Sequence, residues 1–263
     1  MKKFLVLLLA LTLTFTALIS CDSGNQTDSE YVKGKGTLIV GITDFAPMDY
    51  KDENGKWTGF DAELATLVAE RLGVSVEFFE IADWEKKIFE LDSKSVDCVW
   101  NGMTLTEEVL AGMSCTAPYV KNKQVVVMKA ENTGKYTTLD ELKAAGLSFV
   151  AESGSAGENA IKDNGLDTDG KYLAVQKQSD ALLEVLSGAA DACVIDSTMA
   201  GATVGKGSYA ALSAGLLLTE EDYGIGFRKG SDLTATVEGI IADLKADGTL
   251  ATLAAKYNLT LAD

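Results

Sequence analysis

The same construction occurs twice in this chain, as LDSKSVDCVWNGM at residues 91–103 and as LSGAADACVIDST at residues 186–198. In each segment, a leucine at the end of an apolar helical pattern precedes a cysteine by seven residues, and a polar residue follows that cysteine by three. The two polar residues are Asn101 and Asp196. A helix followed by a short buried strand, occurring twice, predicts two α/β units of similar size.

The sequence around these segments continues an alternation of strands and helices. Apolar or alternating runs predict strands at 37–42, 74–80, 96–101, 147–151, 171–175 and 192–196, with helical spacing between them. We therefore expect parallel sheets with helices on their faces. Because parallel sheets bind ligands outside the carboxyl ends of their strands, Asn101 and Asp196 are expected on opposite walls of one cleft between the units.

The composition argues against several classes of function. The 263 residues include 39 acidic and 23 basic residues, which give a formal charge of -16, and no histidine. This charge would repel a phosphate backbone, so nucleic acid is not an expected partner. Histidine is the side chain most used as a general base near neutral pH, so its absence argues against an enzyme. The sequence has neither Cys-x-x-Cys spacing nor a phosphate-binding glycine motif, and we expect no metal and no cofactor.

Residues 1–20 are typical of a secretory signal peptide. Two lysines precede an apolar run that is shorter than the ~20 residues of a membrane span. The segment LISC at residues 18–21 resembles a bacterial lipobox, in which Cys21 is lipidated and becomes the first mature residue. The alternative is an ordinary cleavage site followed by an incidental cysteine. Residues 21–36 lack apolar periodicity and are predicted to be a flexible tether, so we expect an extracytoplasmic protein anchored to the bacterial cell membrane by lipid on Cys21.

Segments along most of the chain resemble one protein family. They include LIVGITDFAPMDY at 38–50, GKWTGFDAELATLVAERLGV at 55–74, VDCVWNGMTLT at 96–106 and YGIGFRKG at 223–230. Together, over about residues 38–257, they are similar to the extracellular solute-binding proteins of family 3. That family is the polar amino-acid-binding branch of the periplasmic-binding-protein type 2 proteins of ABC importers.

The resemblance implies an α/β fold of two lobes, each a mixed, mainly parallel sheet flanked by helices, with two crossover strands as the hinge. Lobe 1 is expected at 37–127 with 222–263, and lobe 2 at 128–221, with the crossings near 126–129 and 222–227. The implied function is capture of a polar amino acid or close derivative by hinge closure, followed by delivery to an ABC permease and its ATPase. We expect a monomer.

The resemblance also implies which residues bind the solute. Phe45 and Trp84 correspond to the aromatic walls of the site, and residues 101–104 correspond to a segment that supplies carbonyl, amide and hydroxyl partners. Residues 155–157 correspond to a helix start that attracts a carboxylate. Asp196 corresponds to the acid that pairs with an α-ammonium. The predicted set is Asp44, Phe45, Trp84, Asn101, Gly102, Met103, Thr104, Glu152, Ser155, Ala156, Gly157 and Asp196.

Structural roles are open for several of these residues. Trp84 shares helical spacing with two apolar residues and could be core, residues 155–157 could form an ordinary flexible turn, and Asp196 could cap the helix that follows it. Asp61 is left out of the predicted site because capping its own helix would explain it.

The sequence departs from the family pattern at Val109, where the family has an arginine that grips the carboxylate of the solute. The carboxylate could be held by backbone N–H groups at 155–157 with help from Lys121 or Lys123. Alternatively, the solute could be a cationic amine without an α-carboxylate that meets Asp44, Glu152 and Asp196, or the solute could bind in another orientation. Glu152 would disfavour an acidic solute.

Two other functions are possible on this fold. One is an enzyme of dehydratase type, which the missing histidine and missing cleft arginine disfavour. The other is a sensory receptor domain that reports a solute without transporting it and would need partner proteins to signal.

Overall fold

A computed structural model describes residues 26–263. The predicted signal peptide and the predicted lipidation site at Cys21 lie outside these residues. Within residues 26–263, no helix combines the length and the apolar character that a membrane crossing requires.

Short strands and helices alternate along the chain. The strands are β1 (Thr37–Ile42), β2 (Tyr50–Lys51), β3 (Trp57–Thr58), β4 (Ser75–Glu80), β5 (Cys98–Val99), β6 (Ser114–Cys115), β7 (Val120–Lys129), β8 (Phe149–Glu152), β9 (Tyr172–Val175), β10 (Ala192–Asp196), β11 (Leu212–Tyr223) and β12 (Gly226–Phe227). The α-helices are α1 (Asp28–Lys35), α2 (Phe60–Leu72), α3 (Lys87–Asp92), α4 (Glu107–Gly112), α5 (Ala130–Thr133), α6 (Leu139–Ala145), α7 (Ala156–Asp163), α8 (Gln178–Ser187), α9 (Ser197–Thr203), α10 (Leu233–Ala246) and α11 (Thr249–Lys256). Single 3₁₀ turns occur at Trp84–Lys86, Thr168–Gly170 and Gly207–Tyr209.

Two five-stranded sheets organise the molecule. The first has the strand order β4-β1-β5-β12-β6 and the second has the order β11-β7-β10-β8-β9. In each sheet three neighbouring strands are parallel, and the strands that lead from one sheet to the other add in antiparallel orientation. We call the parts built on these sheets lobe 1 and lobe 2. The predicted two-lobed α/β fold with mixed sheets is confirmed.

The strands β7 and β11 form a long antiparallel ribbon between the lobes. They pair from Val120 with Tyr223 to Lys129 with Leu212, and β7 also pairs with β10 of the second sheet. Residues 126–129, where the first crossing is predicted, therefore lie inside the second sheet, and the chain enters that sheet at Val120. The exact lobe boundaries stay predictions, and we propose moving the first of them from residue 127 to about residue 120.

The predicted flexible tether at 21–36 is wrong over Asp28–Lys35, which forms helix α1. Thr27 and Glu30 make a reciprocal capping box at its start, and Val32 is buried against lobe 1. Asp28 pairs with Arg228, with 3.0 Å between Oδ2 and Nε. A helix of eight residues is marginal alone, so these tertiary contacts, which apolar periodicity does not reveal, stabilise it.

Candidate functional site

The carboxyl ends of the parallel strands in the two sheets meet at one cavity of about 30 Å³ between the lobes. Ten of the twelve residues predicted to bind solute line it: Phe45, Trp84, Asn101, Gly102, Met103, Thr104, Glu152, Ser155, Ala156 and Asp196. Thr106, Val109, Gly154, Lys87 and Gln178 complete the lining. The cavity is therefore built from both lobes, as the paired segments of the sequence predict.

The remaining two predicted residues do not line the cavity. Asp44 is exposed at the end of β1. Gly157 is buried where α7 packs on β10, and a Cβ atom added there would lie 2.6 Å from the carbonyl oxygen of Val194. Gly157 thus allows a close helix–strand contact, and neither residue contributes a side chain to the site in this structure.

Contacts between the lobes close the cavity. The Lys177 ammonium in lobe 2 lies 3.0 Å from Glu80 Oε1 in lobe 1. Ser153 Oγ in lobe 2 donates a hydrogen bond of 2.7 Å to Glu85 Oε1 in lobe 1. This cavity is far smaller than the roughly 300–1,000 Å³ of typical small-molecule sites, so a ligand of that class would enter only after the lobes move apart.

The interpretation of Asp61 as a helix cap is wrong. Helix α2 follows Gly59 without a side-chain cap, and the fully buried Asp61 carboxylate accepts hydrogen bonds from the Gly102 N–H at 2.6 Å and from the Tyr119 hydroxyl at 2.8 Å. Burial raises the pKa of Asp61 to about 7. Helical spacing could have revealed this role, because Asp61 shares a face with Leu64 and Val68.

Position 102 requires glycine, because a side chain there would be strained and would clash. Its φ is +54°, and an added Cβ atom would lie 2.6 Å from Phe45 Cε1. Asp61 thus positions the backbone loop, and Gly102 lets the Phe45 ring approach it. Together they fix the lobe 1 wall of the cavity.

The polar groups of Asn101 and Thr104 are already bonded within the protein. Asn101 Oδ1 accepts from the Thr43 N–H and its Nδ2 donates to Thr43 Oγ1, both at 2.7 Å. Thr104 Oγ1 donates to Glu221 Oε1 at 2.7 Å. The Asn101 side chain therefore holds the end of β5 against the loop after β1, and the Thr104 hydroxyl is bonded to the acid Glu221.

Asp196 ends β10 with its carboxylate in a dense set of donors. Its Oδ1 accepts hydrogen bonds from the Tyr223 hydroxyl at 2.8 Å, from Gln124 Nε2 at 3.1 Å and from Asn122 Nδ2. Its Oδ2 accepts from Gln178 Nε2. Asp196 precedes helix α9 but makes no side-chain cap, so the capping alternative is wrong. Burial and the nearby Glu221 raise the pKa of Asp196 to about 7.

Glu152 ends β8 and is only 6% exposed. Burial, and then the charge of Asp196, raise the pKa of Glu152 to about 8, while Lys87 acts in the opposite direction. Among the residues that the structure describes, none donates a hydrogen bond to its carboxylate. Glu152 is therefore a buried acid whose ionised form requires a cationic partner.

Helix α7 starts at the cavity. Ser155 caps it by accepting a 3.1 Å hydrogen bond from the Glu158 N–H to its hydroxyl, and Ala156 follows in the lining. The first N–H groups of a helix have no intrahelical acceptor and carry partial positive charge. Residues 155–156 are thus a defined helix start, which favours a negative group next to it.

The two aromatic residues of the predicted site, Phe45 and Trp84, are buried and also line the cavity. Phe45 and Trp84 line the cavity and are 3% and 8% exposed. Trp84 also packs in an apolar cluster with Leu91 and Val109. Core packing and cavity lining are therefore compatible for Trp84.

Lys87 is the one basic residue among the lining residues that the sequence did not single out, within the part of the chain that the structure describes. It begins helix α3, is 2% exposed, and donates to the carbonyl oxygens of Gly154 at 3.2 Å and Trp84 at 3.4 Å. The two lysines suggested instead are exposed at ion pairs, Lys121 with Asp263 and Lys123 with Glu220, and neither lines the cavity. In the sequence, Lys87 lies three residues after Trp84 and four before Leu91, and this helical spacing indicates that it shares their buried face.

The comparisons with known proteins agree with this architecture. The profile of the bacterial extracellular solute-binding proteins, family 3, matches residues 38–260. The arginine-binding extracellular protein ArtP of Bacillus subtilis (strain 168) is 31% identical over an alignment of 265 positions, which covers 98% of this chain and 98% of ArtP. The L-cystine-binding protein TcyJ of Escherichia coli (strain K12) is 30% identical over 228 residues, which cover 86% of this chain and 84% of TcyJ.

A solved structure gives the same result. The ancestral amino acid-binding protein AncCDT-1, described as a precursor of cyclohexadienyl dehydratase, matches with a TM-score of 0.79 and 31% identity over 87% of this chain and 98% of its own. The family match and the shared two-lobed fold thus agree with the resemblance seen in the sequence. This chain belongs to family 3 of the bacterial extracellular solute-binding proteins.

Proposed function

We propose that this protein is the solute-binding component of an ABC importer and that it captures a polar amino acid between its lobes. The proposal rests on one observation: both lobes enclose a single cavity that presents the acids Glu152 and Asp196 from lobe 2 and the base Lys87 from lobe 1. A zwitterionic amino acid carries both complementary charges. The names of ArtP and TcyJ, which refer to arginine and cystine, support an amino acid as the solute.

Hinge closure accounts for capture and delivery. In the open form a solute reaches groups on one lobe, and closure adds the groups of the other lobe, so that the bound solute stabilises the closed form. The ribbon of β7 and β11 is the hinge in this proposal. The permease then recognises the closed pair of lobes and releases the solute into the membrane pathway.

A lipid on Cys21 would keep the protein next to that permease. The description of the family as extracellular supports an extracytoplasmic location. Radiolabelled palmitate should be incorporated into the full-length chain expressed in a bacterium and not into a Cys21→Ser variant. Equal labelling of the two chains would contradict the anchor and leave the solute-binding role unaffected.

A thermal-shift screen tests the solute-binding role. The mature chain is mixed with each of the twenty common amino acids, cystine, ornithine and their decarboxylated amines. A solute present at 100 times its Kd should raise the free energy of unfolding by ~2.7 kcal/mol. The Asp196→Asn variant should lose this response. If no compound of the panel raises the melting temperature of the wild-type chain, the proposed function is wrong.

We propose that the protein is not an enzyme. AncCDT-1 is described as a precursor of a dehydratase, so this proposal needs its own test. Glu152 and Asp196 are the cavity acids that could act as general acids near neutral pH, because burial raises their pKa values to about 8 and about 7. Overnight incubation of the protein with each binding amino acid should leave the mass of the amino acid unchanged, and more than one turnover of product per protein would overturn the proposal.

A further inference from the structure

Lys87 is a buried ammonium that makes no ion pair within residues 26–263. Its side chain is 2% exposed, and its hydrogen bonds go to the backbone carbonyls of Gly154 and Trp84. Among the residues that the structure describes, no carboxylate forms an ion pair with it. Burying a charge without a counter-charge is costly, so a lysine in this position indicates that an anion completes the site.

The position of Lys87 explains how the site works without the arginine of the family. Val109 occupies the place of that arginine, is 1% exposed, and lines the same cavity as Lys87. A valine cannot bind a carboxylate. Lys87 is the only basic residue of the cavity lining among the described residues, so it is the one side chain there that can offer a carboxylate a positive charge.

The surroundings of Lys87 fix the direction in which a zwitterion would lie. The ammonium is 5.2 Å from the centre of the Trp84 indole ring, which orients it. It is close enough to Glu152 for each residue to influence the ionisation of the other, and Glu152 is in turn influenced by Asp196. The cavity lining thus combines one basic group, Lys87, with two acidic groups, Glu152 and Asp196.

We propose that Lys87 binds the carboxylate of the solute and thereby makes the site specific for α-amino acids over the corresponding amines. This inference rests on the proposed function and names the substrate class of the same site. The α-ammonium faces Glu152 and Asp196. The Lys87 ammonium has three donors, so a carboxylate oxygen can accept from it while the contact with the Trp84 carbonyl is retained.

Calorimetric titration of the full mature chain tests this inference with three pairs of probes: L-arginine and agmatine, L-histidine and histamine, and L-cystine and cystamine. The variants are Lys87→Met, Lys87→Arg and a control, Lys86→Met. Lys86 is adjacent in the chain, but its side chain is 61% exposed, pairs with Asp83 and does not line the cavity.

Wild-type protein should bind the amino acid of at least one pair about 10- to 150-fold more tightly than its amine, which is the value of one charge-assisted hydrogen bond. Lys87→Met should remove that preference by weakening the binding of the amino acid much more than that of the amine. Lys87→Arg should retain most of the preference, and Lys86→Met all of it. Without solute, Lys87→Met should melt at the same or a higher temperature than wild type, because it removes an unpaired buried charge.

The outcomes separate the two proposals. If wild-type protein binds amines as tightly as amino acids, or if Lys87→Met keeps the preference, this inference is overturned and the solute-binding role stands. If Lys87→Met does not fold, the Lys87→Arg variant decides. Tighter binding of the amine than of the amino acid by that variant would overturn the inference. If the wild-type chain binds none of the six probes, the inference is overturned, and the wider screen decides whether the proposed function is lost with it.

Discussion

Solute affinity should increase as the pH rises from 6 to 8. In the proposed site the α-ammonium of the solute pairs with ionised carboxylates, but burial raises the pKa of Glu152 to about 8 and that of Asp196 to about 7. In the free protein Glu152 is then ionised in ~1% of molecules at pH 6 and in ~50% at pH 8. If binding requires the ionised form, Glu152 alone increases the affinity ~50-fold over this range, and Asp196 adds to the increase in the same direction.

Other charged groups near Glu152 affect this slope. They are Asp196 on β10, Lys87 on α3, Asp180 on α8 and Lys177 just before α8. Both lysines favour ionised Glu152, and both aspartates oppose it. Burial also lowers the pKa of Lys87, so loss of its proton at alkaline pH should eventually reverse the trend.

Calorimetry measures the effect directly. Titrations of L-arginine or another binding amino acid at pH 6, 7 and 8, each in two buffers with different ionisation enthalpies, give both the Kd and the number of protons released. We expect release of about 1.4 protons at pH 7, ~0.9 from Glu152 and ~0.5 from Asp196, and a much flatter profile for Glu152→Gln. A Kd that is constant between pH 6 and 8, with no proton released, would refute the assignment of Glu152 as a partner of the ammonium.

Three further predictions concern stability. Asp61→Ala should lower the free energy of unfolding by about 1–3 kcal/mol in a denaturant titration, because it leaves the Gly102 N–H and the Tyr119 hydroxyl without their acceptor; an unchanged midpoint would contradict this role. Gly102→Ala should lower the free energy of unfolding by about 1–3 kcal/mol and weaken solute binding, because the new methyl group would overlap the Phe45 ring and the residue has a positive φ. Gly55→Ala is the control for the positive φ alone, because its new methyl group would meet no atom within 4 Å. Without solute, the free energy of unfolding should fall between about pH 4 and pH 8, because Asp61 and the two cavity acids bind more protons in the folded than in the unfolded chain; thermal melts that are highest at pH 8 would contradict the raised pKa values.

The elements that local sequence determines could be predicted. Thr138 and Gly146 bound α6 as helix-capping rules require, and β10 has the predicted limits of 192–196. The paired segments also placed Asn101 and Asp196 on one cavity, because strand direction fixes where strands end. These features depend on periodicity and on capping chemistry, which are local.

For features that depend on tertiary contacts, helical spacing can indicate a buried face, but it does not identify the partner residues. Lys87 lies beside an exposed lysine in the sequence, and only the packing of lobe 2 against lobe 1 makes one buried and the other exposed. Helix α1 is stabilised by Arg228, which is two hundred residues away. Asp61 was assigned to a local cap because such caps are common, while its partners come from distant loops.

The direct contacts between the lobes have a kinetic consequence. The Lys87 ammonium is bonded to the Gly154 carbonyl, and both residues line the cavity, while Ser153 is bonded to Glu85 next to it, so these bonds hold the cleft shut. A solute must wait for these bonds to break before it can enter. The observed association rate should therefore reach a plateau at high solute concentration, set by the frequency of opening, and uptake at abundant solute would be governed by the protein rather than by diffusion.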